Sequence, residues 1–165
     1  LYYFSLNRYE QSRTKGETPF TPAVQIVQMV HRSLSGIKSL GWEAMRRRHE
    51  KSSRAFLAAA PHISLSSFPE EPSSAVLALV LPTRCRGVGI VEELAEKKGI
   101  IAADGQELLK GMMIRTGFLG LYGGKTIRRI VTSLGAVIEG HGCSVDIDSA
   151  EKAVESLSDQ EDIFR

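Results

Sequence analysis

The stretch Met112-Met113-Ile114-Arg115-Thr116-Gly117-Phe118 is where the fold and a candidate site coincide in this chain. Its composition predicts a β-strand over residues 112–118, with one arginine set among apolar neighbours. An unpaired guanidinium is costly to bury in apolar surroundings. Arg115 is therefore the first candidate for a functional residue, because its charge must meet water, a carboxylate or a ligand.

Three other segments are predicted to be strands. Residues 75–81 (AVLALVL) are apolar throughout and predict a buried strand. Residues 63–66 alternate between apolar and polar side chains, as a half-buried strand does, and residues 100–103 predict a further strand. Together with residues 112–118, they make four strands in the middle of the chain.

Helices are predicted on both sides of these strands. Thr21 and Pro22 indicate a helix start, with Thr21 as the cap and Pro22 at the first helical position. Four apolar residues follow at helical spacing: Val27, Val30, Leu34 and Ile37. Residues 1–17 show no stable period, so we expect regular structure to begin after them.

A second, longer helix is predicted from an apolar pattern between Met45 and Ala59, and it ends at Pro61. Residues 86–98 predict another helix, which Gly99 closes as a C-cap. The helix that starts at Thr21-Pro22 and the helix that ends at Pro61 are the two leading helices, and both precede the first predicted strand.

The chain ends in two predicted helices. An apolar stripe between residues 127 and 138 indicates the first of them, which Gly140 ends. Asp148 and Glu151 resemble a capping box at the start of the second. The order of elements predicts an α/β fold in the broad sense (α+β), with an antiparallel or mixed sheet and helices mainly on one face.

Composition excludes several classes of function. The 165 residues are 42% hydrophobic and 24% charged, which is ordinary for a globular protein. A net charge of +2 is too small to predict nucleic acid or an anionic membrane as the main partner. The longest apolar stretch, residues 75–81, is far shorter than the roughly 20 residues of a membrane-spanning helix. We therefore expect no nucleic acid and no membrane among the partners.

Two cysteines occur, Cys85 and Cys143, and neither is placed for a zinc site or beside a base that would activate it. The four histidines are scattered without carboxylates at ligand spacing, so no metal site is predicted. The cysteine content is typical of a reduced compartment, and we expect a cytoplasmic location.

Two segments together resemble one known family. Residues 18–24 (TPFTPAV) and residues 113–120 (MIRTGFLG), in this order and at this separation, are similar to class V, fold type I aminotransferases that depend on pyridoxal 5'-phosphate. The resemblance is to the alanine:glyoxylate and serine:pyruvate branch. It covers nearly the whole chain, including Trp42 and Arg48-His49.

The resemblance implies a domain organisation. Residues 1–38 would end the large domain, residues 39–60 would form a connecting helix, and residues 61–165 would form the C-terminal small domain. The two leading helices would pack on a large domain that this sequence does not include. The chain begins Leu-Tyr-Tyr-Phe, and we expect it to be part of a longer protein.

The resemblance also implies a chemistry. Such enzymes are homodimers that transfer an amino group between an amino acid, here alanine-like or serine-like, and a 2-oxo acid such as glyoxylate or pyruvate. The lysine that forms a Schiff base with the cofactor precedes the threonine-proline loop in this family. No lysine of these 165 residues is assigned that role, and the fragment alone should be inactive.

Three residues take site roles from this family. Arg115 would bind the substrate carboxylate through its planar fork of donors. Thr21 would donate to the cofactor phosphate of the partner protomer, and Thr18 is a weaker candidate for the same group. Alternatives from the residues alone remain open: Arg115 on an edge strand that faces water or a carboxylate such as Asp104, and Thr21 as a plain helix cap.

Other functions remain open as well. A class V cysteine desulfurase or another lyase is the nearest enzymatic alternative, although no cysteine-bearing mobile loop is evident here. A stand-alone, non-catalytic α/β module that mediates association is the alternative from another class. The glycine-rich stretch 117–125 predicts a turn from strand to helix rather than a phosphate loop, since it lacks the Walker pattern. The basic turn Arg46-Arg47-Arg48-His49 has no interleaved aromatic residues and is typical of a solvated helix face rather than a nucleic-acid site.

Overall fold

The computed structural model describes residues 2–120 and 122–157. The chain divides into two compact units, Leu1–Trp42 and Glu43–Arg165. The second unit contains the sheet and the hydrophobic core, and the first unit contains two helices.

The first unit consists of helix α1, Leu6–Arg13, and helix α2, Val24–Leu40. The expectation that residues 1–17 lack regular structure was wrong, because α1 lies within them. Arg13 pairs with Glu10 one turn earlier, at 2.7 Å. An ion pair three residues apart stabilises a short helix that has no apolar period of its own.

Helix α2 confirms the predicted first helix, but not its predicted start. Its N-cap position is Ala23, which makes no side-chain cap, so Thr21 lies outside the helix. The Val24 amide donates to the Pro22 carbonyl at 2.8 Å, and this short turn replaces the predicted cap. The plain-cap interpretation of Thr21 was therefore wrong.

The second unit holds helices and strands in the predicted broad order. Its helices are α3 (Trp42–Ala59, beginning at the unit boundary), α4 (Ile90–Lys98), α5 (Gly124–Gly140) and α6 (Ile147–Leu157). Its strands are β1 (Ser66–Ser67), β2 (Val76–Val80), β3 (Ala103–Asp104) and β4 (Met113–Gly117). Short 3₁₀ helices lie at Ala60–Ile63, Thr83–Cys85 and Glu107–Leu109.

The four strands form one sheet in the order β1-β2-β4-β3, with every pair antiparallel. One face is buried: Leu77, Leu79 and Ile114 pack in a continuous core with apolar residues of α3, α4, α5 and α6. The predicted α+β fold with helices mainly on one face of an antiparallel sheet is confirmed. Residues 75–81 and 112–118 became its central pair, β2 and β4.

Three local predictions were wrong in detail. The strand predicted over 63–66 begins only at Ser66, the first residue of β1, because a 3₁₀ helix ends at Ile63 and Ser64 takes a left-handed conformation. The strand predicted over 100–103 pairs only at Ala103 and Asp104. The cap of α6 is Asp146 rather than Asp148.

Asp146 caps α6 by accepting the Ser149 amide at 3.0 Å. That backbone hydrogen bond holds the pKa of Asp146 below its usual value. Two other end points match the prediction: Gly99 closes α4 with a left-handed backbone, and α5 ends at Gly140.

Within residues 2–120 and 122–157, no helix is long and apolar enough to cross a membrane. The same residues hold no group of three or more histidine, cysteine, aspartate or glutamate side chains placed to bind a metal ion.

Thr116 generates a stability prediction. It lies on the core face of β4 opposite Leu77, is 9% exposed, and its buried hydroxyl finds no hydrogen-bond partner among the described residues. Replacing this hydroxyl by a methyl group in Thr116→Val removes the desolvation penalty and keeps the β-branched shape. We expect the free energy of unfolding, measured by urea denaturation, to rise by about 1 kcal/mol.

Thr132→Val is the matched control, because the Thr132 hydroxyl donates to the Arg128 carbonyl at 3.1 Å. That variant should be neutral or less stable. Equal effects of the two substitutions would contradict the assignment of an unsatisfied hydroxyl at Thr116.

Candidate functional site

Arg115 lies on the face of the sheet opposite the core. Its neighbours along β4, Ile114 and Thr116, point into the core, so the pleat turns Arg115 to the other side. β4 is an inner strand between β2 and β3, which excludes the edge-strand interpretation. The side chain is half-buried.

The cross-strand neighbours of Arg115 are both alanines. Ala78 of β2 and Ala103 of β3 pair directly with it, one on each side. Residues directly opposite each other in an antiparallel sheet project from the same face. Because both paired side chains end at a methyl group, neither is long enough to cover the guanidinium.

A backbone carbonyl holds one end of the guanidinium. Arg115 Nε donates to the Asp104 carbonyl oxygen at 2.9 Å. The Asp104 carboxylate was predicted as a possible partner of Arg115. Asp104 is indeed the partner, but it contributes its backbone carbonyl and not its carboxylate. Among the residues that the structure describes, the two terminal nitrogens of Arg115 make no hydrogen bond or ion pair.

The Asp104 carboxylate has its own task in the loop that follows β3. Its Oδ1 accepts the Gly105 amide at 2.6 Å and the Gly111 amide at 2.8 Å. These bonds close the loop onto itself just before β4 begins. Asp104 therefore shapes the loop with its side chain and anchors Arg115 with its carbonyl.

Both residues that donate to the Asp104 carboxylate, Gly105 and Gly111, must be glycine. A Cβ on Gly105 would lie 2.0 Å from the Leu109 carbonyl oxygen, and Gly111 has a φ of +72°. The first contact leaves no room for a side chain, and the second conformation is strained for any other residue. The loop is therefore built for close approach of the backbone to the Asp104 carboxylate.

Helix α3 supports the chain just after β4. His49 Nδ1 lies 2.8 Å from the Phe118 carbonyl, to which it donates, and the Ser52 hydroxyl donates to the Tyr122 carbonyl at 3.0 Å. The rings of Phe56 and Phe118 pack edge to face at 5.4 Å. The glycine-rich stretch is the predicted turn from strand to helix: β4 ends at Gly117 and α5 begins at Gly124.

Thr18 and Thr21 lie in the first unit, and both are exposed. The Thr18 hydroxyl donates to the Phe20 carbonyl at 2.7 Å, so its proton serves the loop. The Thr21 hydroxyl makes no hydrogen bond within the described parts of the chain. Of the two, Thr21 is the one with a donor available for a ligand.

An aromatic cluster holds the loop that carries both threonines. Phe20 lies between Tyr2, Tyr3 and Tyr9, with ring centroids 5.1, 4.3 and 6.1 Å away. Sequence reasoning missed this cluster and the role of the Asp104 carbonyl. The abundance of aromatic residues before Glu17 was a signal for the former, and a carbonyl contact leaves no signal in the sequence.

No model of a known protein family matches this chain. Comparison with curated proteins finds the soluble hydrogenase 42 kDa subunit of Anabaena cylindrica, 30% identical over 138 residues, which are 83% of this chain and 36% of that protein. An uncharacterized aminotransferase of Methanocaldococcus jannaschii is 25% identical over 164 residues, with 94% of this chain and 41% of that protein covered. The chain thus spans well under half the length of these relatives.

Among solved structures, the chain is similar to ureidoglycine-glyoxylate aminotransferase from Bacillus subtilis, with a TM-score of 0.82 and 19% identity. That match covers 95% of this chain and 42% of the aminotransferase. The chain has the fold of an aminotransferase C-terminal domain. More particularly, it is similar to an aminotransferase whose name specifies glyoxylate, which confirms the predicted resemblance.

Substitution of Asp104 tests how Arg115 is held. Asp104→Ala removes both carboxylate hydrogen bonds, and we expect the free energy of unfolding to fall by about 1–3 kcal/mol. The Arg115 Nε–H signal in NMR should exchange faster with water, because the loop that supplies its acceptor loosens.

Asp104→Asn is the matched variant, since its amide oxygen can still accept from Gly105 and Gly111. It should keep the Arg115 Nε–H signal protected. Equal exchange of that signal in the alanine variant and the parent chain would contradict the link from the carboxylate to Arg115.

Proposed function

We propose that the chain is the C-terminal part of a pyridoxal-phosphate-dependent aminotransferase of class V, in the alanine:glyoxylate and serine:pyruvate branch. The observation that carries this proposal is Arg115: it is anchored at Nε, paired with an alanine on each neighbouring strand, and placed on a fold shared with aminotransferases. The full protein would transfer an amino group between an amino acid and a 2-oxo acid.

Arg115 suits both substrates of such a reaction. Amino acids and 2-oxo acids share a carboxylate beside the reacting carbon, and a guanidinium can grip a carboxylate with two parallel hydrogen bonds. Since Nε is already engaged by the Asp104 carbonyl, the terminal nitrogens would supply the donors. The anchored end keeps the fork from rotating, so less freedom is lost when substrate binds.

The start of α2 suits a phosphate group. Its first turn has no acidic side chain, and no side chain caps its amides. Helix N-termini favour anions, because their amides point outward and the helix dipole adds partial positive charge. Thr21 would donate its hydroxyl to the cofactor phosphate, while Thr18 would shape the loop and contribute less.

Pyridoxal phosphate, when bound, supplies the electron sink that amino transfer requires. The lysine that carries it would come from the part of the full protein outside these 165 residues. Within this chain, Arg115 would orient the substrate carboxylate, and Thr21 would contact the cofactor phosphate bound by the partner protomer. Neither residue needs to transfer a proton.

The exposed apolar surface of α2 supports the proposed domain organisation. No residue of α2 is buried. Six of its large apolar side chains are between 51% and 69% exposed: Val24, Ile26, Val27, Met29, Val30 and Leu34. Such a surface marks a contact with another part of a protein. We assign residues 1–38 to the end of a large domain, 39–60 to a connecting helix and 61–165 to the small domain of a homodimer. A cytoplasmic location belongs to the same proposal.

Two other activities deserve a direct comparison. The Anabaena relative is named as a soluble hydrogenase subunit, which makes a role as a hydrogenase subunit the second candidate. A cysteine desulfurase would use the same cofactor. Assays on the full-length protein distinguish the three activities. A panel of amino donors is scored for formation of 2-oxo acid and of sulfide, and a separate assay measures hydrogen-dependent dye reduction.

The exposed surface of α2 also fits a non-catalytic association module. Such a module would show none of these three activities.

Arg115→Lys keeps the charge but loses the planar fork. In the full-length protein we expect kcat/KM to fall about 10-fold for every amino donor, and about 100-fold in Arg115→Ala, as the loss of charge-assisted hydrogen bonds predicts. Steady-state kinetics with several donors measures this effect. Dicarboxylate inhibitors should weaken in parallel.

Arg54→Lys is the matched control, because Arg54 is an exposed residue of α3. It should leave the kinetics unchanged. If the Arg115 variants also keep parental kinetics, Arg115 has no place in the substrate site.

Thr21→Val tests the phosphate contact. We expect the full-length protein to bind pyridoxal phosphate about 10-fold more weakly, from the loss of one hydrogen bond to a charged group. Cofactor absorbance during dialysis measures the affinity. Because Thr21 does not cap α2, helix content by circular dichroism should stay the same.

Thr14→Val provides the comparison, since the Thr14 hydroxyl donates to the Gln11 carbonyl elsewhere in the first unit. It should not alter cofactor affinity. An unchanged affinity in Thr21→Val would remove Thr21 from the phosphate site.

A further inference from the structure

The two cysteines of the chain meet in the second unit. Cys85 ends the 3₁₀ helix Thr83–Cys85 after β2, and Cys143 follows the end of α5. Their sulfur atoms lie 3.4 Å apart, although 58 positions separate them in the sequence. Both are free thiols. The fold therefore brings together two thiols that no sequence pattern pairs.

The two thiols have different environments. Cys85 is fully buried in the core, and its sulfur lies 3.9 Å from the Ile138 carbonyl. Burial, together with the neighbouring Cys143 thiol, raises the pKa of Cys85 to about 12. Cys143 is half-buried and sits beside the exposed Gly142. A reagent in water meets Cys143 first, and Cys85 lies directly behind it.

We propose that Cys143 and Cys85 form an oxidation site, in which peroxide converts the thiol pair into a disulfide. The Cys143 sulfur, as thiolate, attacks one oxygen of the peroxide; the O–O bond breaks, and the sulfur becomes a sulfenic acid. For hydrogen peroxide, the other oxygen leaves as hydroxide, which takes up the proton that the Cys143 thiol gave up and becomes water. The Cys85 sulfur then attacks the Cys143 sulfur, the S–O bond breaks, and the hydroxide takes the Cys85 proton and leaves as a second water.

The geometry favours the second step. A disulfide bond is about 2.05 Å long, so the two sulfur atoms must approach by about 1.4 Å. Gly142, with a φ of +79°, lies next to Cys143 in a segment without helix or strand, where the backbone can adjust. The buried Cys85 needs only to remain in place.

The bond would tie the connection between β2 and α4 to the end of α5. Cross-links that close long loops stabilise a fold by restricting the unfolded chain. The competing explanation is that the two thiols are small apolar side chains packed in the core. The two explanations differ in what peroxide produces, and neither depends on the proposed aminotransferase activity.

The experiment treats the purified chain with a small excess of hydrogen peroxide and follows it by thiol titration, peptide mass mapping and thermal melting. We expect both thiols to disappear and one peptide pair, containing Cys85 and Cys143 of the same chain, to be linked. The melting temperature should rise by roughly 10 °C, and dithiothreitol should reverse the change.

Two variants separate the steps. Cys143→Ser should leave Cys85 unoxidised, because the exposed partner is gone. Cys85→Ala, a small apolar replacement suited to the core, should stop at a Cys143 sulfenic acid that dimedone traps. Oxidation of Cys143 in the parent chain without a link to Cys85, links between two chains, or the absence of reaction would each overturn the proposal.

Discussion

The structure depends on the antiparallel pairing of β4 between β2 and β3. This register points Ile114 and Thr116 into the core and Arg115 to the opposite face. A shift by one residue would exchange the faces and place the guanidinium in the apolar core. Because burying that charge has a large energetic penalty, the shifted register is disfavoured. The register that builds the core is therefore also the one that places Arg115 on the opposite face.

Around this pairing, Asp104 links structure to the candidate site. Its carboxylate closes the loop between β3 and β4 through two glycine amides, and its carbonyl receives Arg115 Nε. The residues paired with Arg115 on both neighbouring strands are alanines, whose side chains are too short to reach the end of the guanidinium. An arginine that is anchored at one end and open at the other is suited to bind a carboxylate with little loss of freedom.

The first unit contributes in a different way. Its aromatic cluster fixes the loop that carries Thr18 and Thr21, and α2 presents apolar side chains that the described chain leaves uncovered. The curated relatives are more than twice as long as the matched region, and the solved aminotransferase is covered to 42%. The exposed apolar side chains of α2 are expected if, in a longer related protein, the remaining part of the chain packs against this helix.

The sequence by itself determined the elements that depend on local pattern. Apolar patterns identified β2, β4, α2 and α5. Two signals pointed to Arg115: its isolated charge in an apolar strand, and the resemblance of the chain to a known family. Tertiary structure alone decided the two-residue strands, the carbonyl that holds Arg115 and the meeting of Cys85 with Cys143. The physical reason is range: periodicity records which face of an element is buried, whereas these contacts join residues whose partners lie elsewhere in the chain and leave no pattern around either one.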